Sequence, residues 1–148
     1  MTSLPQNLER RPHILVVDDE HDNRELLEIV LRWDGFDVLT ASSGEEALAM
    51  VAEYEPDLVL LDIMMPGMTG YQVVASIKHG GAARHTPVIM VTALTDPQAR
   101  AHALSAGADD FIGKPVARVE LLARVQHALR RGSDEVRTHG AGDDPRRG

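Results

Sequence analysis

The chain has 148 residues, enough for one domain with its own core and too few for two of ordinary size. Its 43% hydrophobic and 26% charged content suits a globular chain, while a formal charge of -8 argues against direct nucleic-acid binding, which rests on clustered lysine and arginine. It has no cysteine for disulfides or thiolate metal sites, no signal-peptide core over Met1–Pro12 and no apolar run of membrane-spanning length, so the expected location is the cytoplasm, away from any membrane.

Residues 1–12 lack an apolar pattern and are expected to form a flexible leader. The block His13–Val17 reads as a buried strand and runs directly into Asp18, Asp19 and Glu20. Leu26, Leu27, Ile29, Val30 and Trp33 then recur at helical spacing, with Gly35 as the stop. Phe36–Ala41 is the second expected strand. Ser43, three residues before Glu46, opens a second helix whose apolar face is Ala47, Leu48, Val51 and Ala52. The third strand, Asp57–Leu61, ends at Asp62, and Pro66-Gly67 reads as a turn before Thr69, which caps a helix through Gln72. Val88–Val91 follows Pro87 as the fourth strand and ends at Thr92; Asp96 before Pro97 starts the fourth helix, and Gly107 ends it. Asp109–Ile112 is the fifth strand, with Lys114 just beyond. Leu121, Leu122, Val125 and Leu129 line the last helix, which closes a domain over residues 13–131. Residues 132–148 are almost free of apolar side chains and are expected to be a flexible polar tail.

Strict alternation of short apolar strands with helices specifies an α/β fold, a doubly wound five-stranded parallel sheet covered on both faces. Ligands of such sheets bind beyond the carboxyl ends of the strands, where Asp18, Asp19, Asp62, Thr92 and Lys114 all fall. Three carboxylates at one rim repel one another, which raises at least one carboxyl pKa unless a hard cation such as Mg2+ sits among the oxygens. A threonine hydroxyl and a lysine ammonium at the neighbouring strand ends suit a phosphoryl anion. A lone Asp-Asp pair is common in surface loops, and the specificity of the pattern lies in all five groups falling in register.

Four motifs carry a resemblance over His13–Arg131: Val17-Asp18-Asp19-Glu20, the run from Leu60 through Asp62 to Gly70, Val91-Thr92-Ala93, and the run from Gly107 to Lys114-Pro115. Together they resemble the receiver domain of two-component response regulators. The resemblance implies a flavodoxin-like (βα)5 fold with strand order 2-1-3-4-5. It implies that Asp62 is the phosphoacceptor, esterified by a histidine kinase or a histidine phosphotransfer protein. Mg2+ would be held by Asp18, Asp19, Asp62 and the backbone carbonyl of Met64, and the phosphoryl group by Thr92, Ala93 and Lys114. Thr92 and Phe111 would form the switch, the threonine moving to the phosphate and the aromatic turning inward behind it. The Lys114-Pro115 peptide would be cis. Met64 and Leu94, two residues beyond Asp62 and Thr92, are apolar, so no strong help is expected for a water attacking the aspartyl phosphate.

Glu20, His21 and Asp22 read as the opening of the first helix, with Glu20 near enough to tune the metal. His79, His85, His102 and His127 read as surface or edge residues, and Met64, Met65 and Met68 as loop residues facing partners. The family's output surface, made by the fourth helix, fifth strand and fifth helix, includes Arg100, Ala103, Leu104, Arg118 and Val119 here; it suits a downstream effector protein or a homodimer. The leading reading is a stand-alone phosphoacceptor and not an enzyme acting on external substrates. One alternative is a receiver module cut from a longer regulator or hybrid kinase. Another is an aspartyl-phosphate phosphatase, disfavoured because Glu20 stands where such enzymes place a second aspartate.

Overall fold

A computed structural model of the chain describes residues 10–141, with side chains through Gly132. The elements are β1 (His13–Val17), α1 (His21–Trp33), β2 (Asp37–Ala41), α2 (Gly44–Tyr54), β3 (Leu58–Leu61), α3 (Gly70–His79), a 3-10 turn (Ala82–His85), β4 (Val88–Thr92), α4 (Pro97–Ala106), β5 (Asp110–Gly113) and α5 (Arg118–Ala141). All neighbouring strands pair in parallel, and their order across the sheet is 2-1-3-4-5.

The interior strands β1, β3 and β4 are buried on both faces, save for His13 at the start of β1, which is why they are apolar apart from the terminal His13 and Thr92. Alternate residues feed two separate cores. Leu15, Val17, Val59 and Leu61 pack with Ala47 and Val51 of α2, Val73, Val74 and Ile77 of α3 and Ala103 of α4. Ile14, Val16, Leu58 and Leu60 pack on the other face with Leu27 and Leu31 of α1 and Leu121 and Val125 of α5. These two layers make a sandwich of three helices, sheet and two helices.

The capping signals act as their chemistry requires. Ser43 accepts from the Glu46 N–H at 3.1 Å, Asp96 accepts from the Ala99 N–H at 2.8 Å, and Thr69 and Gln72 form a reciprocal capping box. Glu46 turns to Ser42 instead, accepting from its N–H at 2.7 Å. Gly35 and Gly107 both take positive φ at helix ends, as expected of stops.

Several boundaries differ from the sequence expectation. Strands β2, β3 and β5 begin one residue later, and β4 extends to include Thr92. The 3-10 turn has no clear pattern of its own. Helix α5 continues past Arg131 to Ala141, over a stretch whose composition suggested loss of structure. Propagating an existing helix adds one hydrogen bond per residue ordered and escapes the cost of nucleation, so a polar continuation is cheap. Residues 1–9 and 142–148, the greater part of the expected leader and part of the expected tail, lie outside the described residues. Met65, expected to face a partner, is buried in the core at 6% exposure, because the chain after Asp62 folds back onto the sheet before α3 begins. No helix of the described residues is long and apolar enough to cross a membrane.

Candidate functional site: the acidic rim at the carboxyl ends of the strands

The strand order makes β1 and β3 neighbours, and their register pairs Val17 with Leu61. Asp18 and Asp62, each one residue further on, therefore leave the sheet side by side; the Asp62 N–H donates to the Val17 carbonyl at 3.0 Å. Asp19 follows Asp18 into the same space, and carboxylate oxygens of Asp18, Asp19 and Asp62 lie within 4.8 Å of one another. Asp18 and Asp62 are buried, whereas Asp19 is exposed at the rim. On the far side β4 pairs with β5, Thr92 standing opposite Gly113, and the Lys114 N–H donates to the Thr92 carbonyl at 2.8 Å. The Lys114-Pro115 peptide is cis, as the resemblance implied.

Lys114 reaches across from β5 into the acids. Its Nζ donates to Asp18 Oδ2 at 2.9 Å and stands 3.6 Å from Asp62 Oδ2. Burial opposes charge on this ammonium, but the hydrogen bond to Asp18 and the fields of Asp62, Asp18 and Glu20 outweigh it and hold the lysine pKa above its usual value. Asp62 moves in the unfavourable direction. Burial, the largest cause, pushes its carboxyl pKa up; Lys114 pulls it back, Asp18 raises it again, and backbone N–H groups of Met64 and Ile63 lower it. The expected strain within the acid cluster thus falls on Asp62, the buried acid without a direct hydrogen bond to the lysine.

This donor set fits a small hard cation. Three carboxylates from two adjacent strand ends converge with one ammonium to offset them, a surplus of negative oxygen that a divalent ion with oxygen ligands satisfies. A second set of potential ligands, His21, Asp22 and Glu25, also clusters, but all three residues are exposed on the first turns of α1.

The remaining residues of interest are placed as follows. Thr92 is fully buried, and its Oγ1 accepts from the Leu94 N–H at 3.2 Å, so the hydroxyl is turned toward the loop after β4. Ala93, the residue after Thr92, is exposed, and Met64, two residues beyond Asp62, is 60% exposed. Phe111 is already inward, 5% exposed within the core shared with α3 and α4. Ala103 is completely buried and belongs to the core and not to the output surface, whereas Leu104 and Val119 are exposed. Glu20 is the residue preceding α1, accepts from the Asn23 amide, and contributes to the field at Lys114.

Three features escaped the sequence reading. Arg24 Nη1 donates to the Asp18 carbonyl at 2.9 Å. Gly70 packs so tightly against the chain at Asp62 that a methyl group there would stand 2.7 Å from Ile63 Cα and overlap the Asp62 carbonyl oxygen, and its N–H donates to the Ile63 carbonyl at 2.9 Å. Tyr71 of α3 stacks on His102 of α4 with ring centroids 3.8 Å apart. Arg24 left one legible signal: a cation near a helix N-terminus, where the helix dipole favours acids, implies some compensating contact.

Comparison with known proteins agrees with this fold. A family model for the response regulator receiver domain matches residues 14–126. The DNA-binding response regulator MtrA of Mycobacterium tuberculosis is 47% identical over 125 residues, covering 84% of this chain and 54% of MtrA. Response regulator PleD of Caulobacter vibrioides is 46% identical over 117 residues, 79% of this chain and 26% of PleD. The chain thus spans about half the length of one curated relative and about a quarter of the other. Among solved structures, the Vibrio cholerae chemotaxis protein CheY4 superimposes with a TM-score of 0.77 at 30% identity, covering 80% of this chain and 99% of that one. The chain belongs to the response regulator receiver domain family, the signalling module of two-component systems.

Proposed function

We propose that this receiver domain accepts a phosphoryl group on Asp62 in a Mg2+-dependent reaction and that the ester reshapes a protein-docking surface. The observation that carries this reading is the convergence of Asp18, Asp19 and Asp62 within 4.8 Å, with Lys114 Nζ 3.6 Å from Asp62. Asp18, Asp19, Asp62 and the Met64 carbonyl are the groups that would hold Mg2+, which when bound neutralises the acids and the incoming phosphoryl oxygens.

The chain's own residues account for the rest. A carboxylate oxygen of Asp62 forms the O–P bond as the P–N bond of a phosphohistidine breaks, and the departing imidazole takes a proton from solvent. The donor belongs to a histidine kinase or a histidine phosphotransfer protein. Lys114 keeps two N–H donors beyond the one given to Asp18 and directs them at the phosphoryl oxygens. In this reading the Ala93 backbone contacts the same group, and the exposure of this residue supports that.

Thr92 then exchanges the Leu94 N–H for a phosphoryl oxygen. A hydrogen bond to a charged group contributes about 1.5–3 kcal/mol. Driving a switch from 1:99 to 99:1 takes about 5.5 kcal/mol. Thr92 alone falls short, so Lys114 and the loop amides share the bias. Phe111 already lies inward, so its part is to hold the α4 side of the core in place and the movement falls to Thr92 and the loop after β4.

The output is protein contact in the cytoplasm, with a downstream effector or a second copy on the α4–β5–α5 face, and no direct nucleic-acid contact by the receiver fold itself. A receiver working within a longer regulator is the second reading, favoured by the partial coverage of MtrA and PleD; the native reading frame beyond Gly148 decides it. The central test is labelling by acetyl phosphate with Mg2+: wild type acquires an acid-stable, base-labile phosphoryl group and Asp62→Asn acquires none. Labelling retained in Asp62→Asn would refute the assignment.

A further inference from the structure

We propose that Arg24 is a positioning residue for the cation site: its hydrogen bond to the Asp18 carbonyl fixes the peptide between Asp18 and Asp19 and thereby the direction in which the Asp19 carboxylate enters the rim. This inference rests on the reading above, in which Asp18, Asp19 and Asp62 hold Mg2+.

The two adjacent acids are held very differently. Each polar group of Asp18 has a partner: its N–H donates to the Ala41 carbonyl at 3.2 Å, Oδ1 accepts from the Glu20 N–H at 2.9 Å, Oδ2 accepts from Lys114, and the carbonyl accepts from Arg24 Nη1 at 2.9 Å. Asp19 is exposed, and its carboxylate accepts no hydrogen bond from any described residue. No side-chain contact sets its direction, so the backbone does. That backbone is the peptide that leaves the sheet after β1, where the ladder ends at Val17. Two bonds pin it: the Asp18 Oδ1 bond to the Glu20 N–H closes the turn on one side, and Arg24, reaching back from the first turns of α1, holds the carbonyl on the other.

The Arg24 guanidinium also brings positive charge to the site. It lies near the N-terminus of α1, where the helix dipole disfavours positive charge, and beside a cluster that must attract a cation. A positive charge in that place weakens cation binding by Coulomb repulsion. Orientation of a ligand by a neighbouring hydrogen bond strengthens it, and loss of such supporting partners commonly weakens metal affinity about 10- to 100-fold. The two roles of Arg24 therefore predict opposite signs on its removal.

The experiment is calorimetric titration of Mg2+ into the full chain without phosphodonor, for wild type, Arg24→Met, Arg24→Lys and Asp19→Asn. Arg24→Met keeps the aliphatic stem and loses the donor; its Mg2+ dissociation constant rises about tenfold or more. Arg24→Lys, whose ammonium can donate once to the same carbonyl, recovers most of that loss. If Arg24→Met does not fold, Arg24→Gln, which keeps an amide but ends short of the carbonyl, carries the same expectation. Mg2+ affinity in Arg24→Met equal to or tighter than wild type overturns the inference, tighter binding being what removal of a nearby charge produces by itself. A lysine variant no better than the methionine variant also overturns it. Asp19→Asn separates the two levels of the argument: if it binds Mg2+ like wild type, the reading of the acidic rim fails, and if it binds weakly while Arg24→Met is unchanged, only the role of Arg24 fails.

Discussion

Substituting Gly70 by alanine tests how tightly Asp62, the proposed phosphoacceptor, is held from beneath. The added methyl would stand 2.7 Å from Ile63 Cα, whereas ordinary contact begins at 3.4 Å, so at least about 0.7 Å must be found by the difference of these two distances, and more at the Asp62 carbonyl oxygen. The obstructing atoms are backbone, with the Asp62 carbonyl oxygen nearest, and no side chain can rotate out of the way. The shift must come from the end of β3, tied to β1 by the Asp62 N–H bond to Val17, or from the start of α3, tied to Ile63 by the Gly70 N–H. Overpacking of this kind costs about 1–3 kcal/mol, and better helix propensity of alanine returns at most about 1 kcal/mol. A net loss of about 1–2 kcal/mol in a domain of this size lowers Tm by roughly 3–10 °C. The larger effect falls on chemistry, because a misplacement approaching 1 Å can slow reaction about 100-fold. Both effects are read from thermal unfolding and from the initial rate of acetyl phosphate labelling well below Tm. Gly35→Ala is the control: Gly35 has φ +96 and nothing within 4 Å of an added methyl, so it loses stability through backbone strain alone and keeps its labelling rate. Wild-type labelling in Gly70→Ala would show that the strand end does not depend on this contact.

Two further perturbations follow from the charges in the rim. Burial and the Asp18 field raise the Asp62 carboxyl pKa above its ordinary 3.8, so the metal-free folded state disfavours the charged form. That cost is absent below the unfolded value and complete above the raised folded one; without Mg2+, Asp62→Asn should melt above wild type at neutral pH, and the gap should close as pH falls toward 3.8. A gap independent of pH would exclude this origin. Lys114→Met leaves Asp18 and Asp62, both buried, without their counter-charge, a loss of about 3 kcal/mol in EDTA. Mg2+ should restore part of that stability by binding the folded state alone, and equal melting deficits with and without Mg2+ would refute the shared-charge account.

The sequence by itself determined the alternation of strands and helices, the caps at Ser43, Thr69 and Asp96, and the chemistry waiting at each strand end. Such signals are local: a strand buried on both faces is written as an apolar run, and a cap is a side chain bonding a backbone group three residues away. Boundaries were less legible, because pairing with a neighbour decides where a strand stops; Thr92 joins β4 through its partner Gly113. Met65 shows the same limit, since its burial depends on the path of the chain back over the sheet, which no periodicity encodes. Only the tertiary structure decided that Arg24 clamps Asp18, that Gly70 lies against the backbone of Asp62, and that Tyr71 ties α3 to α4. Those contacts join different elements, and their distances are fixed by strand register and helix placement together. A residue type at a strand end can announce a charge, but packing of the whole sheet sets where that charge points.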